Sequence, residues 1–159
     1  MKKFFLTIFL ISALTSSLFA ASSSSGSSTK SNYDQAVKLI KSAKNYEKKG
    51  KLDKATKRYE KAFKLLIKSN KKKPSQPDTL NYLGFTSRKI GNYEVAEKYY
   101  LEGLAIDPNH NGINEYLGEL YVKTNRIEKA KERLEVLKNC NCEEFQELNN
   151  VINSGISKY

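Results

Sequence analysis

The sequence predicts an all-α fold in which three helical hairpins stack in a row and one further helix closes the stack. Three observations predict it. Residues recur at a spacing of 34: Leu83-Gly84 and Ala96 return as Leu117-Gly118 and Ala130, and Tyr100 returns as Leu134. The middle of the chain is dominated by Glu, Lys, Leu and Ala, all of which favour helix. Helix-breaking residues interrupt it at matching places, as at Gly50, Gly91-Asn92 and Asp107-Pro108.

At the N-terminus, Met1-Lys2-Lys3 supplies positive charge, and Phe4 to Leu14 is apolar apart from Thr7 and Ser12. Ser16-Ser17-Leu18-Phe19-Ala20 then offers a small residue before a cut at Ala20–Ala21. This is the layout of an export signal over residues 1–20, and its apolar run is short for a bilayer span. A periplasmic or secreted location is expected, with an uncleaved anchor as the rival reading. Residues 21–31 are rich in Ser and Gly and hold nothing large enough to pack, so a disordered linker is expected there.

The folded domain is expected over 32–153, with a short tail at 154–159. Its first unit, about 36–69, keeps Gly50, Leu52, Ala55, Tyr59 and Ala62. These match Gly91, Tyr93, Ala96, Tyr100 and Gly103 at a spacing of 41, one period plus an insertion of seven that holds Lys71-Lys72-Lys73-Pro74. The second unit, 77–110, places Leu80, Leu83 and Gly84 on one helical face, breaks at Gly91-Asn92 and ends at Asp107-Pro108. Helices cross closely only where contact residues are small, which gives Gly84 and Ala96 a reason to be there; Tyr100 fills the space left beside them. The third unit, 111–144, repeats the pattern. After it, Phe145, Leu148, Val151 and Ile152 recur at helical spacing, predicting a capping helix over 143–153 with Glu144, Glu147 and Asn150 turned outward.

Pro77 to His110 resembles a tetratricopeptide repeat (TPR) over its whole length, through Leu80, Leu83, Gly84, Gly91, Tyr93, Ala96, Tyr100, Leu104, Asp107 and Pro108. Asn111 to Glu144 resembles a second copy. Ala36 to Ser69 resembles a third that departs at the Leu-Gly pair, where Ser42-Ala43 stands. The resemblance implies a right-handed solenoid that binds proteins or peptides in a groove lined by the first helix of each repeat. Carried over by repeat position, that groove takes Ile40, Lys44 and Glu47, then Asn81, Phe85 and Arg88, then Glu115, Glu119 and Val122. Phe85 is either an exposed anchor for a partner or packing between Lys44 and Val122 that closes the groove. Ile40 and Tyr82 occupy places where a clamp for a terminal carboxylate would need polar groups.

Cys140 and Cys142 lie one residue apart before the last helix. An oxidising compartment allows a disulfide between them; free thiols and a metal or redox role are the alternatives. The run Cys142-Glu143-Glu144-Phe145 also resembles small secreted bacterial proteins of this repeat class. His110 reads as a solvated loop residue.

The charge is uneven. Residues 22–73 hold 16 Lys/Arg against 4 Asp/Glu, whereas residues 74–159 hold 10 against 13. A basic half attracts anionic lipid head groups or an acidic protein. Solvated helix faces in a Lys- and Asn-rich composition account for it equally simply. Nucleic acid is not the expected partner; a protein or peptide is, with a membrane surface left open through the Lys-rich first repeat. One histidine, two cysteines, no tryptophan and no Gly-rich phosphate loop are a poor inventory for catalysis. No enzyme activity, cofactor or metal is expected.

Overall fold

The computed structural model describes residues 30–156. The expected export signal over residues 1–20 and residues 21–29 of the expected linker lie outside them, as do residues 157–159. Seven helices follow in order among the described residues: α1 (Asn32–Lys48), α2 (Leu52–Lys72), α3 (Pro77–Lys89), α4 (Tyr93–Ile106), α5 (Asn111–Lys123), α6 (Ile127–Leu137) and α7 (Glu143–Ser154). None is long and apolar enough to cross a membrane. α1–α2, α3–α4 and α5–α6 pack as hairpins, and α7 packs on α5 and α6.

Local chemistry sets the helix ends. The Ser31 hydroxyl accepts from the Asp34 backbone N–H at 3.1 Å, so the last residue of the expected linker caps α1. Pro77 opens α3, where its missing N–H costs nothing. The turns inside the hairpins need a left-handed residue, supplied by Gly50 (φ 65°), Gly91 (φ 87°) and Asn125 (φ 57°). These three share one repeat position; asparagine is among the few side chains that tolerate that conformation. The seven-residue insertion is absorbed in α2, which has 21 residues against 14 in α4. Seven residues are about two helical turns, so the helix lengthens without rotating its buried face.

The core is two clusters. One gathers Ala36, Ile40, Ala43, Tyr59, Leu66, Leu83 and Phe85 from α1 to α3. The other gathers Ala96, Tyr100, Ile113, Leu117, Leu120 and Ala130 from α4 to α6. Tyr116 packs against both and joins them. Gly84 has the predicted reason: a Cβ there would run into the Tyr100 ring. Ala43 holds the equivalent place in the first repeat and is fully buried.

His110 is not a free loop residue. Its Nδ1 accepts from the Ile113 backbone N–H at 3.2 Å, capping α5. That leaves the proton on Nε2, which donates to Asp78 Oδ1 at 3.1 Å and ties α5 to the start of α3.

Candidate functional site

The first helices of the repeats, α1, α3 and α5, bring Lys44, Phe85, Arg88, Glu115 and Glu119 together. Phe85 is not an exposed anchor: it is fully buried. Its ring meets Tyr59 edge-on with centroids 5.8 Å apart and lies 4.9 Å from the ring of Tyr116. Lys44 Nζ sits 4.7 Å from its centroid, and the Arg88 guanidinium carbon 5.6 Å. Phe85 is therefore the apolar floor beneath a pair of cations, an arrangement in which the ring quadrupole favours positive charge.

Arg88 reaches across to α5. Its Nη1 lies 2.7 Å from Glu119 Oε2, with both side chains almost wholly buried. Its Nε and Nη2 have no hydrogen-bond partner. Burial works against its charge, but the neighbouring Tyr100 and Glu119 hold its pKa above the ordinary arginine value. Lys44 points into the same region, where its Nζ donates to the Tyr116 hydroxyl at 3.4 Å. Burial lowers its pKa, while Glu115, Glu147 and Glu119 pull it back up.

Glu115 differs most from an ordinary surface carboxylate. It is 3% exposed, and burial together with Glu119, a hydrogen bond with Glu147 and the charge of Glu144 pushes its pKa up to about 9. A carboxyl in that environment keeps its proton at neutral pH.

The remaining predicted positions lie elsewhere. Ile40 is core. Glu47 accepts from the Tyr59 hydroxyl of its own hairpin at 2.8 Å and pairs with Lys89 at the end of α3. Asn81 is buried beside Gly112, where its side chain leaves no room for a Cβ. Val122 is the exception: it is half-buried in a cleft at the far ends of α3, α5 and α7 that Arg88 and Glu119 of this site also line, with Lys89, Lys123 and Ile156.

Two parts of this face escape the sequence reading. Tyr116 fell between the groove positions, yet its ring bridges Phe85, Lys44 and Arg88. Glu147, expected to point outward, is half-buried and hydrogen-bonded to Glu115. The signal for Glu147 was present. Asn81, Glu115 and Glu147 are each the fifth residue of α3, α5 and α7, but α7 starts 32 residues after α5 instead of 34. Just before α7, Cys140 and Cys142 are joined by a disulfide.

Residues 34–109 match the family model described as tetratricopeptide repeat. Over 59 residues the chain is 39% identical to the uncharacterized protein ycf37 of Guillardia theta, covering 36% of this chain and 33% of that one. It thus spans about a third of the length of that curated relative. Among solved structures, it resembles the type III secretion translocator chaperone SycD of Yersinia enterocolitica, with a TM-score of 0.52 at 22% identity over 77% of this chain and 81% of that one. It also resembles the second TPR domain of human RPAP3, solved with an HSP70 peptide, with a TM-score of 0.54 at 18% identity over 77% and 98%. Identities this low speak for the fold alone. With the family match, the repeated helical hairpins and these neighbours in agreement, the chain is a tetratricopeptide-repeat protein.

Proposed function

We propose that this protein is a non-catalytic adaptor or scaffold of the bacterial cell envelope that docks a segment of a partner protein along the face shared by α1, α3, α5 and α7. The observation that carries the reading is the row of polar groups on that face. Lys44, Arg88, Glu115 and Glu119 are drawn from separate repeats onto one aromatic floor, with Arg88 Nε and Nη2 and Glu115 Oε1 left without hydrogen-bond partners. The similar RPAP3 domain was solved with a peptide, which agrees with this reading. Export rests on the N-terminal segment, and the Cys140–Cys142 disulfide agrees with an oxidising compartment.

A photocrosslinking residue at Asn45 or Lys123, exposed positions bordering this face, is expected to trap the same partner from native envelopes. The same residue at Lys61 or Lys98, exposed on the second helices, is expected to trap nothing in common with it. Equal capture from both sets would overturn the reading.

A second reading is electrostatic attachment through the first repeat. Lys54, Lys57, Lys61, Lys64, Lys68, Lys71 and Lys72 of α2 are all exposed, and the ion pairs found among the described residues involve none of them. Attachment of that kind fades steeply as salt rises, whereas docking on the α1–α3–α5 face depends on salt far less.

A further inference from the structure

The seven extra residues of α2 wall off a cavity that the docking face does not use. Lys72 lies in the two turns by which α2 outruns α4, and Lys73 follows it. With the starts of α1 and α3 they enclose about 520 Å3, lined from α3 by Asp78 and Thr79 and from the α1 side by Lys30 and Tyr33. Sites for small molecules span roughly 300–1,000 Å3. Thr79 marks this cavity as more than a gap. At its place in the next repeat, 34 residues on, stands Ile113, a core residue. Thr79 is almost as deeply placed, at 4% exposed, yet its hydroxyl makes no hydrogen bond among the described residues. Because Thr79 lines an open cavity, a ligand can reach it. The backbone beside it is also unsatisfied: Gln76 gives α3 no side-chain cap, so the N–H groups of Asp78 and Thr79 in the first turn lack an acceptor within the helix. Lys30, Lys72 and Lys73 enter none of the ion pairs found among the described residues. Asp78 is the one carboxylate in the walls, and it already accepts from His110. Three ammonium groups thus face one carboxylate, an excess of two positive charges.

We infer that this cavity binds a phosphate monoester carried on a small sugar or polyol. Such a group holds close to two negative charges at neutral pH, which matches the walls, whereas a carboxylate holds one. Its oxygens accept several hydrogen bonds, and the free N–H groups at the start of α3, the Thr79 hydroxyl and the lysine ammoniums are donors for them. A phosphate alone leaves most of the volume empty, and the rest suits a hydroxyl-bearing body. Asp78 accepts from its hydroxyls, and the Tyr33 ring, whose centroid is 5.9 Å from that of Tyr82, gives it one flat wall. Burial and the charge of Asp78 push the Tyr33 hydroxyl up to about 12, so it stays a donor at neutral pH. The site lies about two helical turns along α3 from Phe85, and it does not rest on the adaptor reading.

The test titrates the full chain with glucose 6-phosphate, glucose and inorganic phosphate, following amide shifts by NMR. Glucose 6-phosphate is expected to give saturable shifts centred on Asp78, Thr79 and the first turn of α1. Inorganic phosphate should shift the same amides with weaker affinity, and glucose should shift none. Thr79→Val keeps the shape and removes the hydroxyl, and Lys72→Gln with Lys73→Gln removes two charges. Each change should weaken glucose 6-phosphate at least severalfold with circular dichroism unchanged. Lys61→Gln with Lys64→Gln removes the same charge elsewhere on α2 and should alter affinity little. Equal loss in the two double variants would show diffuse attraction to the Lys-rich repeat and overturn the site, even if Thr79→Val failed to fold. So would shifts scattered along α2, an equal response to glucose, or unchanged affinity in a folded Thr79→Val. Inorganic phosphate binding as tightly as glucose 6-phosphate would overturn the sugar or polyol. Vesicles containing phosphatidic acid carry the same monoester on a lipid. Binding to them that glucose 6-phosphate displaces assigns the ligand to a head group, and no binding, with the shifts intact, assigns it to a soluble molecule; either result supports the site.

Discussion

Gly84 and Gly118 hold the same place in successive repeats, yet different side chains close over them. A Cβ at Gly84 would run into the Tyr100 ring, which belongs to the same hairpin. At Gly118 the nearest atoms all belong to Leu148, on α7. The difference traces to one substitution in the repeat: Leu134 stands where Tyr100 stands. Tyr100 is fully buried, whereas Leu134 is only half-buried. The middle hairpin thus carries its own closure, and the third is completed from outside. Terminal repeats of a solenoid need such a cap, because they have no neighbour to cover their apolar face. In this chain the cap also supplies Glu147, which hydrogen-bonds Glu115, so closing the stack and completing the polar row are one event.

Overpacking separates the two regions most strongly. Gly84→Leu pushes a branched side chain against a rigid, fully buried ring, and its cost should lie at or above the top of the usual range of about 1–3 kcal/mol. Gly118→Leu meets the flexible end of Leu148 instead, so it should expel α7 and leave the α3–α4 hairpin standing. Thermal unfolding should show a large loss of Tm for Gly84→Leu. Hydrogen exchange of Gly118→Leu should show lost protection in α7 with normal protection between Leu83 and Tyr100. Identical behaviour of the two variants would break the comparison.

Glu115 gives the next effect, through pH. Its carboxyl sits at about 9 in the fold against an ordinary value of 4.5. Below 4.5 the folded and unfolded chains both hold this proton, and burial costs no charge. Between 4.5 and 9 the unfolded chain has released it while the fold retains it, so stability falls as pH rises across that window and levels off above it. Lys44, Glu119, Glu144 and Glu147 all contribute to that environment. Glu115→Gln keeps a neutral side chain of the same shape, so it should flatten the decline. The gain over the parent should grow from nothing near pH 4.5 to about 1–3 kcal/mol at pH 9, the range for burying a polar group badly. Urea unfolding at four or five pH values measures it, and parallel curves for the two proteins would show that Glu115 is ordinary.

Reducing the disulfide should act more weakly and only at one end. Cys140 and Cys142 close a very small loop, so the bond removes little entropy from the unfolded chain. Its effect is to aim α7. Hydrogen exchange over residues 143–152 should quicken on reduction, while the Leu83–Tyr100 hairpin is unchanged. Equal protection in both redox states would mean that Leu148 and Val151 hold the cap without help.

How far the sequence could be read follows from the same physics. The helices were legible because Gly84, Ala96 and Tyr100 recur where helices must cross closely, and because Gly91 and Pro108 mark breaks. The face was legible as a list of positions, since the repeat register carries Lys44 onto Phe85 at a spacing of 41 and Phe85 onto Glu119 at a spacing of 34. Exposure along it was not. Periodicity tells which way a helical residue points, but burial depends on how tightly α1 and α5 flank α3, which no single-helix pattern encodes. Phe85 was left open between two readings by that, and Tyr116, whose ring lies between registers, was missed. Glu147 was missed for a different reason: the disulfide turn shortens the last spacing by two residues, and a fixed period steps past it.

The smallest expected effect tests the one turn where the repeats differ in residue but agree in shape. Gly50, Gly91 and Asn125 all take positive φ, at 65°, 87° and 57°. A Cβ at Gly91 would meet nothing within 4 Å, so substitution there creates no clash. Any cost of Gly91→Ala must therefore come from the backbone, and a left-handed L-residue costs roughly 1–2 kcal/mol. Asn125 already bears most of that cost, softened because asparagine tolerates the left-handed region better than other side chains. Asn125→Gly should then change stability by only a few tenths of a kcal/mol, since relief of strain is offset by the greater freedom glycine has in the unfolded chain. Urea midpoints of the two variants, compared at equal m-value, resolve the difference. A cost for Asn125→Gly as large as that of Gly91→Ala would mean that the Asn125 side chain, not its backbone shape, holds the third turn.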